Sequence, residues 1–290
     1  MKTYSLKNTL RLAAVTGLLC LANPAQSATI TAKGSDTLVI LAQKWAEVYM
    51  RTHSGTKIQV TGGGSGTGFA ALQNRTTDLC NASRPIKSKE VLACIKAFRK
   101  RPTEYKVALD GLSVYVNSDN PVKSLNVEQL KDIFTGKVKN WKQLGGKDAP
   151  IVLYSRENSS GTYEFFKKSV LKGADYAASA QTMPGTAAVL QAVGKDVNGI
   201  GYGGAAYGAG ARALLVSKGA GSPAVAPTEA NVVNGTYPIW RYLYIYVNPA
   251  LDKGEIATYL KWIRSDEGQK VVKNVGYFPL PSKLRHLARL

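Results

Sequence analysis

Ser155-Arg156-Glu157-Asn158-Ser159-Ser160-Gly161-Thr162 joins an apolar run, Ile151–Tyr154, to a stretch in which Tyr163, Phe166 and Val170 recur with helical spacing. That order, strand then hydroxyl-rich turn then helix, leaves the unpaired N–H groups of a helix N-terminus beside Ser160 and Thr162. The positive end of the helix dipole favours negative charge at that point. Arg156 stands four residues before Ser160 and adds a planar guanidinium suited to two oxygens of a tetrahedral anion. Read as an isolated feature, the same stretch is an N-cap beside a surface arginine.

Two further loops have the same construction. Gly34-Ser35-Asp36-Thr37 precedes Leu38, Leu41, Trp45 and Val48, and Gly62-Gly63-Gly64-Ser65-Gly66-Thr67-Gly68 precedes Phe69 and Leu72. Ordinary caps on Ser35 or Asp36, and a plain structural turn, are the local alternatives. Gly66-Thr67-Gly68-Phe69-Ala70-Ala71 also fits a loose dinucleotide fingerprint. The acidic residue wanted about 20 positions further on, Glu90, lies instead in a Lys-rich stretch. Three glycine- and hydroxyl-rich helix starts therefore point to a small oxyanion rather than to a nucleotide.

Strand-like and helix-like segments alternate throughout, which predicts an α/β fold with mostly parallel sheets. Ile58–Val60 reads as a strand, and Thr76–Leu79 as the link to the next one. Val107–Asn117 and Tyr237–Asn248 are long enough to cross between two domains, so one domain is expected to use both chain ends and the other the middle. The expected division is a leader at 1–27, one lobe at 28–111 plus 242–290, and a second at 112–241, with the ligand in the cleft.

The leader has basic Lys2, Lys7 and Arg11, an apolar stretch Leu12–Ala22, and small residues at Ala25-Gln26-Ser27. Cleavage is expected near Ser27, giving an exported, soluble protein; a lipid anchor at Cys20 is disfavoured by Leu19. The apolar stretch is shorter than the roughly 20 residues that span a bilayer. Formal charge is +19 for the whole chain and +16 without the leader's three basic residues. That balance suits anionic partners, although Lys96–Arg101 and Lys137–Lys147 lack the interleaved aromatics of a nucleic-acid platform. No nucleic acid is expected as a partner. Cys80 and Cys94 form an even pair in an oxidising compartment and are expected to be disulfide-bonded, closing a loop of about 15 residues; two buried thiols are the alternative.

Lys33–Thr37, Gly62–Gly68, Ala82-Ser83-Arg84-Pro85, Asp110-Gly111-Leu112, Trp141 and Ser155–Thr162 together resemble, in order, the phosphate-binding (PstS-like) solute receptors of bacterial ABC importers. The resemblance implies a type II periplasmic-binding fold: two α/β lobes joined by two hinge crossings, closing on dehydrated inorganic phosphate. It implies delivery to an ABC permease in the inner membrane, no cofactor and no catalysis. By motif position, Thr37, the N–H of Leu38, Ser65 and Ser83 would contribute from one lobe. Arg156, Ser160, Gly161 and Thr162 would contribute from the other, in a monomer. Ser83 stands where better-known members carry an aspartate that accepts the proton of hydrogen phosphate. Asp36 and Glu157 are the replacement acceptors to consider, and arsenate or sulfate the rival ligands.

A secreted hydrolase would need a nucleophile with a base, or a metal. His53 and His286 both sit in polar, basic surroundings, no G-x-S-x-G surrounds Ser65, and no His/Cys spacing suggests zinc. A polyanion-binding surface protein is the remaining class, and it would rest on charge alone.

Overall fold

The computed structural model describes residues 28–208 and 210–285. The expected leader and His286 lie outside the described residues. The first half-lobe runs β1 (Ala28–Gly34), α1 (Asp36–Thr52), β2 (Thr56–Thr61), α2 (Ser65–Gln73), β3 (Leu79–Ala82), α3 (Ser88–Phe98) and β4 (Thr103–Gly111). Here α1 shows why helices form where they do. Leu38, Leu41, Ala42, Trp45 and Tyr49 fall on one face and are buried, so the helix lies on the sheet by its apolar stripe. Trp45 needs a partner for its indole N–H and finds Gly268 O at 2.8 Å.

The chain then crosses. β5 (Ser113–Val116), β6 (Ser124–Asn126), α4 (Val127–Phe134), β7 (Val152–Arg156), α5 (Gly161–Ser169), β8 (Gln181–Met183), α6 (Gly185–Lys195), β9 (Gly199–Gly203), β10 (Arg212–Ala213), β11 (Leu215–Ser217) and α7 (Glu229–Val233) build the second lobe. β12 (Trp240–Val247), α8 (Gly254–Ile263), α9 (Asp266–Val275) and α10 (Ser282–Arg285) return to the first. The two five-stranded sheets have the orders β2-β1-β3-β12-β4 and β10-β5-β9-β7-β8, and β6 pairs with β11 apart from both. Each lobe has its own apolar core, one around Trp45, Tyr49 and Ile245, the other around Phe134, Trp141, Phe166 and Tyr202.

Two sequence expectations change. The sheets are mixed rather than mostly parallel: β12 runs antiparallel to both β3 and β4, and β5 antiparallel to both β9 and β10. The crossing strands cause this, because chain that returns from the other lobe enters the sheet in the opposite sense. The Val107–Asn117 run is likewise two strands in two sheets, parted at Leu112, whose N–H goes to Ile239 O of the returning crossing at 2.9 Å.

The expected disulfide is also corrected: Cys80 and Cys94 are free, buried thiols. Both pack in one cluster with Phe69, Leu72, Ala82, Tyr244 and Tyr246 beneath α2 and α3. Cys80 Sγ fills the slot left by Gly68, lying 3.0 Å from where a Cβ there would be. Burial, then the nearby Glu90 charge, push the Cys94 thiol up to about 11 and raise that of Cys80 as well. Neutral thiol is the form such a cluster favours, and it is the unreactive form.

Candidate functional site

The three loops meet at one seam. α1, α2 and α5 start there, and the hydroxyls of Thr37, Ser65, Ser83, Ser160 and Thr162 are all buried. Thr37 Oγ1 lies 2.7 Å from Thr162 Oγ1 across the two lobes, and Ser83 Oγ lies 3.3 Å from Ser65 Oγ and 3.5 Å from Thr162 Oγ1. Ser160 caps α5, its Oγ accepting the N–H of Thr162 and Tyr163. Ser35 and Gly64, by contrast, give α1 and α2 no side-chain cap. Leu38 N–H donates to Ser35 O at 3.0 Å, so the turn itself uses that group.

Glycines let the lobes come this close. At Gly64, φ is +91° and a Cβ would fall 2.6 Å from Ser159 O. A Cβ on Gly161 would fall 2.3 Å from Ser65 Oγ and 2.7 Å from Ser83 Oγ. Gly66 N–H donates to Ser159 O at 2.8 Å, a direct backbone bond between the lobes.

Arg156 is 1% exposed and is held from several sides. Its Nη2 donates to Asp36 Oδ2 at 2.8 Å and to Glu157 Oε1 at 2.9 Å, its Nε to Glu157 Oε2 at 3.0 Å, and its Nη1 to Thr186 Oγ1 at 2.9 Å. Burial opposes ionisation of Glu157, yet the Arg156 hydrogen bonds and charge hold its carboxyl below the ordinary range. Asp36 also accepts Gly63 N–H at 2.7 Å. Both carboxylates considered as proton acceptors are therefore engaged in fixing the arginine. Tyr207 closes this edge, its hydroxyl donating to Asp36 O at 2.6 Å; burial, then the Asp36 charge, push that phenol up to about 12.

The guanidinium that touches the hydroxyl cluster is a different one. Arg241 of β12 donates through Nη2 to Thr162 Oγ1 at 3.1 Å and through Nη1 to Ser83 O at 3.0 Å. Asp110, fully buried at the end of β4, holds it with two bonds of 2.9 and 2.8 Å to Oδ2, and accepts Ala205 N–H on Oδ1. In the sequence Arg241 interrupts the otherwise apolar stretch Tyr237–Val247. A lone charge within a buried strand was itself the signal, since such a group persists only when paired and hydrogen-bonded. Among the described residues no group of three or more His, Cys, Asp or Glu could hold a metal. His53 stacks on Tyr49 at the C-terminal end of α1, the end opposite the one that opens at the seam.

Residues 22–267 match the model of the PBP superfamily domain. The phosphate-binding protein PstS of Pseudomonas aeruginosa is 38% identical, the alignment covering 90% of this chain and 86% of that protein. PstS of Bacillus subtilis is 34% identical over 88% of this chain and 81% of its own. A Clostridium perfringens phosphate ABC transporter substrate-binding protein, solved with bound phosphate, superposes with a TM-score of 0.80 at 28% identity, covering 87% of this chain and all of that one. An ABC-type phosphate transport receptor of Vibrio cholerae gives 0.69 at 26% identity over 87% of this chain and all of its own.

Proposed function

Because this chain belongs to the phosphate-binding, PstS-like solute receptors of the PBP superfamily, we propose that the seam is its phosphate site. The protein binds inorganic phosphate for an ABC transporter. The observation that supports the seam is the convergence of Thr37, Ser65 and Ser83 from one lobe with Thr162 from the other within 3.5 Å. Donors from both lobes let closure replace the hydration shell of the anion, so binding and closure are one equilibrium.

In this reading Thr37, Ser65 and Ser83 bind from residues 28–111 plus 242–290, with the N–H of Leu38 shared between Ser35 O and the anion. Arg156, Ser160, Gly161 and Thr162 bind from residues 112–241. Reopening at the crossings then offers phosphate to a permease in the inner membrane. The protein works without catalysis or cofactor, as a monomer, in the periplasm after loss of a leader near Ser27. The basic segments fit a solvated surface: Lys96, Arg99, Lys100 and Arg101 are exposed.

Arg156→Ala tests the site. A hydrogen bond to a charged group is worth roughly 1.5–3 kcal/mol, so loss of the guanidinium should weaken phosphate binding by about 10- to 150-fold in calorimetric titration. Asp36 and Glu157 retain side-chain exposures of 18% and 27%, so water can take over from the arginine and the fold should survive. Wild-type affinity in a folded variant removes Arg156 from the site.

A further inference from the structure

Residues 87–101 carry six basic residues and one acidic one. The acid, Glu90, is buried and committed to the guanidinium of Arg84 and the N–H of Lys87. Lys87 itself reaches Glu164 of the other lobe at 2.7 Å. The remaining five, Lys89, Lys96, Arg99, Lys100 and Arg101, are exposed, and none forms an ion pair among the described residues. Arg75 is drawn to the same place, its guanidinium donating to Ala97 O in the last turn of α3. The basic run 137–147 of the second lobe is built differently: Lys137 and Lys142 pair with Asp132 and Asp148. Cations with local partners project little net field, whereas unpaired ones sum.

Helical spacing sets Lys89, Lys96 and Arg99 three, four and seven positions from Leu92, on one side of α3 and its C-cap. Leu92 is 66% exposed, more than any other large apolar side chain among the described residues. Cys94 and Phe98, on the opposite side, pack into the cluster formed with β3 and β12. The core contact of α3 is therefore complete without Leu92. An apolar side chain among cations suits the boundary between headgroups and acyl chains, where the charges stay wet and the leucine does not.

α3 starts at the seam, through Lys87, and its 11 residues carry the chain about 16 Å away from it. β1 and β4 run in one sense and β12 in the other, so Ala28 and Thr103 mark the same end of that sheet, the end remote from the loops of the cleft. Arg99, Lys100 and Arg101 lead directly into Thr103. The chain that precedes Ala28, with its apolar stretch Leu12–Ala22, joins at this same end.

We propose that the outer face of α3, with the turn that follows it, is a docking surface for an anionic lipid bilayer. Lys89, Lys96, Arg99, Lys100 and Arg101 meet the phosphodiester headgroups, and Leu92 enters the acyl boundary. A nucleic acid would want stacking aromatics instead, and this face offers none. Adsorption by the end remote from the cleft holds the protein beside the membrane while the cleft stays open to its ligand.

Vesicle sedimentation of the purified protein tests it. Vesicles of equal parts phosphatidylglycerol and phosphatidylcholine should bind the protein at low salt, and vesicles of phosphatidylcholine alone should not. About 1 M salt, where the Debye length is roughly 3 Å, should release it. A basic residue near an anionic surface strengthens partitioning about fivefold. Lys89→Gln, Lys96→Gln and Arg99→Gln together should therefore weaken binding about a hundredfold, with phosphate affinity in calorimetry unchanged. Leu92→Ser should weaken it about fivefold at constant charge. Lys137→Gln, Lys142→Gln and Lys147→Gln remove the same formal charge from the other lobe and should cost no more than about fivefold. Failure of the wild type to bind the anionic vesicles overturns the proposal. Equal losses in the two triple variants overturn it too, because net charge rather than this face would then hold the bilayer. Full binding by Leu92→Ser overturns the insertion of Leu92.

Discussion

Among the glycines that face the opposite lobe, Gly161 leaves the least room. A methyl group there would overlap Ser65 Oγ and Ser83 Oγ, atoms of the opposite lobe. Neither lobe is obliged to change internally, because Gly161 has an ordinary helical conformation at the start of α5. Gly161→Ala should therefore hold the lobes apart, lowering phosphate affinity at least about tenfold through lost hydrogen bonds to the anion, with the melting temperature of the phosphate-free protein little changed. Calorimetry and a thermal melt report the two quantities; wild-type affinity would show that α5 does not face Ser65 in the bound state. The close approach of Gly161 was legible, since glycine between two hydroxyl residues at a helix start invites it. Arg241 was not. Its partner Asp110 lies 131 positions away, and a single sequence marks the charge without naming what pairs with it. The thiols failed for a related reason: parity and compartment argue for a bond, while packing beneath α2 decides that each sulfur fills an apolar slot.

Helix starts were the most readable elements, because capping residues and apolar period are local. Strand order was not local, and the antiparallel entry of β12 between β3 and β4 depends on chain returning from the other lobe. What ties such returning elements down is visible at Glu255, in the first turn of α8. Its Oε1 accepts Thr56 Oγ1 of β2 at 2.6 Å and Tyr49 Oη of α1 at 2.8 Å. The Thr56 hydrogen bond, outweighing burial and aided by Tyr49, holds this carboxyl below its ordinary value of 4.5. A carboxyl lowered in the folded state adds stability above its unfolded pKa and loses it as pH falls through the folded one. Glu255→Gln should therefore melt below wild type near neutrality, and the gap should close on acidification through that window. A gap independent of pH would mean that Glu255 acts through packing rather than charge.

At the scale of the molecule, the two lobes are joined covalently at two crossings and non-covalently along the seam. Three direct bonds span it near Asp36: its carboxylate to Arg156, its carbonyl to Tyr207, and Gly66 N–H to Ser159 O. Asp36 belongs to α1, whereas Arg156 and Tyr207 belong to the second lobe, so one residue holds two of the three. Its side chain also pins Gly63 N–H, which orients the glycine-rich loop that leads into Ser65. A partly exposed ion pair contributes little by itself, about 0–1 kcal/mol, but lobe closure is a balance in which each such bond counts only on the closed side. Asp36→Ala deletes the carboxylate from that side alone and leaves both sheets and both cores untouched. It should shift the phosphate-free population toward open forms, giving a larger radius of gyration than wild type in small-angle scattering. Saturating phosphate supplies donors' targets from both lobes at once and should bring the two proteins to the same radius. Superimposable scattering without phosphate would show that Asp36 does not bias closure, and a variant still expanded at saturation would show that the anion closes the lobes only through it.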